Sequence, residues 1–408
     1  MTADGRKVAV VLSGGGANGT YEVGVLKALV SGRSHVTNHQ PLVPDIVTGT
    51  SIGALNAAFL VSQWDQYGAA SVANLERFWL DRLAGGVRSN GVFRLRGNPL
   101  DLLDPNSYIP NPLRPFQQFL VDSGILAWEG LQRAVHFATT TGPLERRLVD
   151  TLDLGAMISL EPLERNLQAI DYQAIRRSTL WLKIAATNWA TGELRSFWNH
   201  DMTDAFGPIA VRASAAVPGI FPPAEFGSQF FVDGSVLLNT PLSLAIHAGA
   251  EILHVIYLDP KVSNIPLSRM PQVFSTFQRV FQIGWAARYN DDIGDAGRIN
   301  RSLAALERAR ATLKLDAQGA DLLLDVAQVR PPADRAPFRP LEIHCYHPRD
   351  PLAGDMSFLN FDRDRIETLI ERGFQDAVYH DPVDSKDVFP GVEQEAPAWR
   401  SYPRRASS

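Results

Sequence analysis

Cysteine is all but missing. Cys345 stands alone among 408 residues, which excludes an intrachain disulfide and makes a cysteine-based zinc site implausible. No stretch approaches the roughly 20 consecutive apolar residues that a helix needs to cross a bilayer. The net charge is only −5 and no long run carries one sign, so there is no electrostatic footprint for nucleic acid. The apolar run Val8–Leu12 follows Arg6-Lys7, but it is too short for the core of a signal peptide and leads straight into glycines. The expectation is a cytoplasmic protein with no signal peptide or transmembrane segment, with peripheral contact at a membrane surface left open. No internal repeat is visible. What is present is ordinary for a soluble enzyme: 45% apolar and 20% charged residues, in a chain long enough for two or three domains.

The stretch Asp45–Gln63, DIVTGTSIGALNAAFLVSQ, organises the rest. It begins as a short apolar run, breaks at Gly49 and resumes as an Ala/Leu-rich run of helical character. Between the two, Gly49-Thr50-Ser51-Ile52-Gly53 fits the G-x-S-x-G pattern of a nucleophile elbow. A strand that turns straight into a helix packs its own turn tightly, and glycines two before and two after the serine remove the colliding Cβ atoms. Ser51 would then project from the turn with the unpaired amides of a helix N-terminus behind it, where negative charge is favoured. Alone, the motif equally fits an ordinary Gly/Ser-rich turn.

Upstream, Lys7–Ser13 reads as a strand buried on both faces, Gly14-Gly15-Gly16-Ala17-Asn18-Gly19 as a glycine loop and Thr20–Val30 as a helix. The loop fits a dinucleotide fingerprint, but that fold wants an acid near the end of the second strand. Here the second strand ends in Thr48-Gly49-Thr50-Ser51, and Asp45 lies at its start. The better reading is a loop whose amides face Ser51 as an oxyanion hole. Both loops would leave the carboxyl ends of neighbouring parallel strands, where open α/β sheets place their sites.

Beyond the elbow helix the pattern degrades. Residues 80–175, rich in Gly, Pro and Asn early and helical later, read as an insertion over the site. Strands are expected at Trp181–Ala186, Glu193–Trp198, Phe230–Val232, Ile252–Asp259 and Leu341–Tyr346. A helix is expected over Arg269–Leu315 and a clearly amphipathic one over Asp362–Val378. From 381 the chain reads as a poorly ordered tail.

Four blocks in this order, VVLSGGGANGTYEVGVLKAL, GTSIGALNA, ASAAVPGIFPP and Val232-Asp233-Gly234, resemble the patatin-like phospholipase family, and the closing LIERGFQDA is similar to the last helix of many bacterial members. The resemblance implies a three-layer α/β fold: a central, mostly parallel sheet flanked by helices. The catalytic part would span 1–260 with the 80–175 insertion as a lid, followed by a helical extension over 261–380 that adds one strand. It also implies a lipid acyl hydrolase working through a Ser–Asp dyad and an acyl-enzyme, with no histidine, metal or cofactor. Ser51 matches the nucleophile, Asp233 the base, and Gly14, Gly15 and Gly16 the oxyanion loop, with Asn18, Gly19, Gly49, Gly53 and Gly234 as supporting motif positions. The implied partner is an acyl lipid; the oligomeric state stays open.

Two positions depart from the family pattern. Asn18 stands where Arg or Lys is usual, which removes a cation beside the anion-binding loop and points to neutral esters over anionic phospholipids; Ser235 replaces a smaller residue after Asp233-Gly234. Three other readings compete. A Ser51, Asp259, His344 or His347 triad is formally available, but its fold puts the elbow after several strands. His344-Cys345-Tyr346-His347 could suggest a metal site, but alternation sends its histidines to opposite faces. A non-catalytic lipid-binding protein of the same fold is the alternative of a different class. Trp181, Trp189 and Trp198 are expected to pack around the sheet.

Overall fold

The computed structural model describes residues 5–390 apart from 87, 97–113, 140–157, 259–272, most of 314–338, 350–351, 353–356, 384 and 386. Its centre is an eight-stranded sheet. The strands are β1 (Lys7–Leu12), β2 (Ile46–Thr50), β5 (Trp181–Asn188), β6 (Leu194–Trp198), β7 (Ala224–Phe226), β8 (Gln229–Asp233), β9 (Ala250–Ile256) and β10 (Glu342–Tyr346), while β3 (Arg94–Leu95) and β4 (Ile158–Ser159) form a separate pair. The order is β10-β9-β1-β2-β5-β8-β7, with β6 also on β5. Every pairing from β10 to β5 is parallel, and those of β6, β7 and β8 are antiparallel.

The short β-branched run of β1 produces this centre because each face of a buried parallel strand needs its own cover. Val8, Val10 and Leu12 enter one core, with α1 (Thr20–Val30) and α2 (Ile52–Tyr67); Ala9 and Val11 enter the other. The second core is closed by α8 (Leu242–His247) and by Tyr289, Ile293 and Ala296 of the long helix α9 (Val273–Leu313). The result is a three-layer α/β fold. The remaining helices are α3 (Ala70–Phe78), α4 (Arg114–Thr139), α5 (Glu161–Leu167), α6 (Tyr172–Arg177), α7 (Gly207–Ser214) and α10 (Arg363–Val378). Among the described residues no helix is long and apolar enough to cross a membrane.

The C-terminal part is woven into the rest. β10 extends the central sheet alongside β9, and α10 crosses α1 where Gly24 and Gly373 let the two backbones touch: a Cβ on either would strike a carbonyl of the other helix. The poorly ordered tail expected from 381 does not hold for the described residues up to 390; the rest, 391–408, lies outside the described residues. Asp387 and Val388 are buried, and Val388 exchanges two backbone hydrogen bonds with Ile343, 2.8 and 2.9 Å, so a polar composition here conceals a segment pinned to the sheet edge. The tryptophan expectation also fails. Trp181, Trp189 and Trp198 are 43, 62 and 37% exposed, because they sit at strand ends and edges; Trp181 and Trp198 instead cover the ammonium groups of Lys7 and Lys183.

Candidate active site

Between β2 and α2 stands a single residue. Ser51 takes φ 56° and ψ −124°, a left-handed backbone that L-residues avoid and that costs on the order of 1–3 kcal/mol. The surroundings hold it there. Its amide donates to Ser214 Oγ at 3.0 Å, and its carbonyl accepts from Ala54 at 3.0 Å. The two motif glycines are there for close approach: a Cβ on Gly49 would collide with the Gly53 carbonyl, and one on Gly53 would lie 2.6 Å from the Leu12 carbonyl oxygen. The Leu55 amide turns back to the Ser51 carbonyl at 3.4 Å, and Ile52 and Gly53 precede the first intrahelical bond.

The register of the sheet brings Asp233 to this turn. Thr50, the last residue of β2, pairs with Ala185 of β5, and Asp233, the last residue of β8, pairs with the next residue, Ala186. β6 occupies the other edge of β5, so β2 and β8 meet end to end along one edge. Gly234 makes the junction possible, since a Cβ there would strike the Ala185 carbonyl and lie 3.0 Å from Thr50 Cγ2. The Asp233 carboxyl is fully buried. Oδ1 accepts from the Ser235 amide at 2.8 Å, while Oδ2 has no well-formed hydrogen bond. Burial pushes its pKa up to about 6, against the pull of the Ser235 amide and of the Ser51 and Ser235 hydroxyls. The Ser51 hydroxyl therefore faces this carboxyl closely enough to stabilise its charge, with the loose geometry usual in a resting site.

The glycine loop divides its labour. The Gly14 amide donates to the Asn239 carbonyl at 3.0 Å and is thereby committed to structure, which removes it from the expected oxyanion donors. Gly15 and Gly16 line a cavity of about 1140 Å³, mouth included, that opens at Ser51. Asn18 lines it too, and Gly19 rests on Ile52 with its carbonyl accepting from Asn56 Nδ2 at 3.0 Å. The remaining wall is largely apolar. Leu163 and Leu167 come from α5, and Phe358, Leu359 and Phe361 from the segment before α10. The cavity can take an acyl chain, with one hydroxyl and a few donors at its head.

Several supporting groups escape a reading of the sequence. Ser214 lies in the block ASAAVPGIFPP, but nothing there announces its bond to the Ser51 amide; Asn239 and Trp285, whose Nε1 donates to the Ser235 carbonyl at 2.6 Å, come from distant segments with no signature. Glu22 leaves a trace, a carboxylate among the apolar residues of the first turns of α1. It is fully buried, its pKa raised well above normal by that burial, and it accepts from Asn56 Nδ2 at 2.8 Å and from the Ser13 amide at the root of the glycine loop. The histidines of the competing triad do not come to Ser51. On β10, three strands from β2, His344 Nδ1 donates to Asp387 at 3.0 Å; His347 Nδ1 donates to the Pro348 carbonyl at 3.2 Å; Asp259 lies outside the described residues.

This chain is similar to a known family and to known proteins. The profile of the family described as patatin-like phospholipase matches residues 10–246. Lysophospholipase nte1 of Aspergillus terreus (strain NIH 2624 / FGSC A1156) is 40% identical over 109 residues, a stretch covering 23% of this chain and only 7% of the fungal protein. Among solved structures, that of VipD from Legionella pneumophila aligns over 90% of this chain and 67% of its own, with a TM-score of 0.33 and 16% identity.

Proposed function

The chain belongs to the patatin-like phospholipase family, and from that premise we propose that it hydrolyses carboxylic esters of acyl lipids through Ser51 and Asp233. One observation carries the reading: a serine held in a strained turn at the head of an apolar cavity faces a fully buried carboxylate with a free oxygen. Asp233 takes the Ser51 proton as Oγ attacks the ester carbonyl carbon. The resulting oxyanion is met by the amides of Gly15 and Gly16 and by the N-terminal end of α2. When the tetrahedral intermediate collapses, Asp233 returns the proton to the leaving alcohol and the acyl group stays on Ser51. Water then gives its proton to Asp233 and its oxygen to the acyl carbon, and the fatty acid leaves as Ser51 is reprotonated. Residues 80–175 act as the lid, and the acyl chain lies against Leu163 and Leu167.

The test is direct. Wild type should be labelled by a fluorophosphonate and should release fatty acid from acyl esters. Ser51→Ala should lose both, with residual turnover below ~1%, since removing such a nucleophile typically costs several orders of magnitude. Asp233→Asn should be nearly as inactive. An unlabelled wild type that still binds lipid would make the chain a lipid-binding protein instead.

A further inference from the structure

Asn18 does not stand alone at the glycine loop. Its Oδ1 accepts a hydrogen bond of 2.7 Å from an Nη of Arg365, 347 residues later and on α10. This contact fixes the orientation of the amide: the oxygen faces Arg365, and Nδ2 is turned the other way. Among the described residues Nδ2 has no hydrogen-bond partner, and it is not one of the sealed unpartnered atoms, while Asn18 itself lines the cavity next to Ser51. A donor is thus held ready with nothing among the described residues to receive it.

Arg365 sits where an arginine is out of place for stability. It is in the first turn of α10, where Asp362 caps its backbone amide at 3.2 Å and where the helix dipole disfavours a cation. The guanidinium is half-buried; that burial lowers its pKa, and no carboxylate among the described residues offsets the loss. Its Nε is enclosed without an acceptor. The surface arginines nearby behave differently: Arg363, on the same turn, pairs with Glu367 at 3.2 Å. An uncompensated, partly desolvated cation bonded to a cavity-lining amide strengthens that amide as a donor, because hydrogen bonds in series polarise one another.

We propose that Arg365 is a positioning residue that holds Asn18 as a charge-assisted donor for an anionic group, such as a phosphate, carried by the substrate beside its scissile ester. The inference rests on the acyl-hydrolase reading and deepens it. It also reverses the expectation drawn from Asn18 alone, since the cation missing from the loop is supplied by a distant helix. The pair would bind the anion while the apolar wall takes the acyl chain. Neutral esters would use the same wall without that anchor.

The experiment uses the full chain and a matched pair of substrates, lauroyl glycerol phosphate and lauroyl glycerol. Wild type should favour the phosphate ester in kcat/KM by about 10-fold. Arg365→Gln should erase that preference, mainly through a higher KM for the phosphate ester, with the neutral ester little changed; Arg365→Lys should recover part of it. Asn18→Asp, which keeps a partner for Arg365, should turn the preference toward the neutral ester. An unaltered ratio in folded Arg365→Gln, or an equal loss on both substrates, would overturn the proposal. Binding separates it from the hydrolase reading. In a Ser51→Ala background, dodecyl phosphate should bind about 10-fold more weakly when Arg365 is also Gln, measured by calorimetry. If that dependence is seen but wild type turns over neither ester, the hydrolase reading fails and the anion site stands. If binding ignores Arg365, the anion site fails whatever the turnover.

Discussion

Asp233 carries a conflict between stability and function at the scale of one residue. Its pKa of about 6 lies above the ordinary carboxylate value because burial disfavours the charge. A carboxyl raised in the folded state stabilises the fold while protonated, and that contribution is lost as pH rises from about 4 through about 6. At neutral pH the ionised group therefore lowers stability by something on the order of 3 kcal/mol. The same ionisation makes it a base. Two outcomes follow. The kcat/KM profile should fall on the acid side with an apparent pKa near 6, because a protonated Asp233 cannot accept the Ser51 proton. Asp233→Asn, while inactive, should melt at a higher temperature than wild type at pH 8, and the gain should fall to about half near pH 5 and vanish below about pH 4. A flat acid limb, or a variant less stable at pH 8, would show that Asp233 is not ionised in its burial site as described. Ser51 stood out in the sequence because an elbow needs its glycines within two residues, whereas Asp233 was indicated only by the resemblance, Asp-Gly by itself being as readily a plain turn. Ser214 lies in the block ASAAVPGIFPP, but neither its bond to the Ser51 amide nor that of Arg365 to Asn18 could be read, since they span 163 and 347 residues with no periodicity to announce them.

At the scale of elements, the cavity is a joint product of pieces that look unrelated along the chain. α5 lies between β4 and α6, Phe358–Phe361 lead into α10, and Trp285 reaches in from α9. The strands other than the short β3, β4 and β7, and the helices α1, α2, α9 and α10, could be read from the sequence pattern, since each buries a face against the sheet or against another helix. The wall of the cavity could not, because a lining residue and a core residue are equally apolar. This placement makes a specific expectation. Leu167→Trp puts an indole where the acyl chain is to lie, displacing roughly two methylenes at about 0.8 kcal/mol each. Hydrolysis of long-chain esters should fall about 10-fold in kcat/KM relative to a four-carbon ester, which should stay near wild type. Equal effects on both chain lengths would move the acyl chain away from α5.

At the scale of the whole molecule, the chain is closed by a buried polar clasp far from the cavity. Asp387 Oδ2 accepts from His344 Nδ1 at 3.0 Å and from His380 Nε2 at 2.9 Å, and Oδ1 accepts from the Cys345 amide at 2.8 Å. The clasp ties the segment after α10 to β10 and so fixes the helix that carries Arg365. Burial opposes charge on both partners, but their mutual hydrogen bond outweighs it, with help from Glu342 on His344 and from His380 on Asp387. The His344 pKa ends up raised and the Asp387 pKa lowered. The neighbouring His254, pushed down to about 3 by burial and by His344, stays neutral. The signs set a window. Asp387 contributes fully above about pH 4 and loses its contribution as pH falls through its depressed pKa. His344 contributes fully below about pH 6.5 and loses its contribution as pH rises through its raised pKa. Asp387→Ala leaves two buried imidazoles and an amide without their acceptor, and such a break costs about 3–5 kcal/mol. Urea unfolding of wild type and variant should therefore differ most between about pH 4.5 and 6.5, and the gap should narrow at pH 9, where only neutral hydrogen bonds are lost. Because the clasp touches neither Ser51 nor Asp233, the variant should retain fluorophosphonate labelling at temperatures where it is folded. A gap that does not change with pH would mean that His344 is never charged beside Asp387, and the clasp would then be a set of neutral hydrogen bonds.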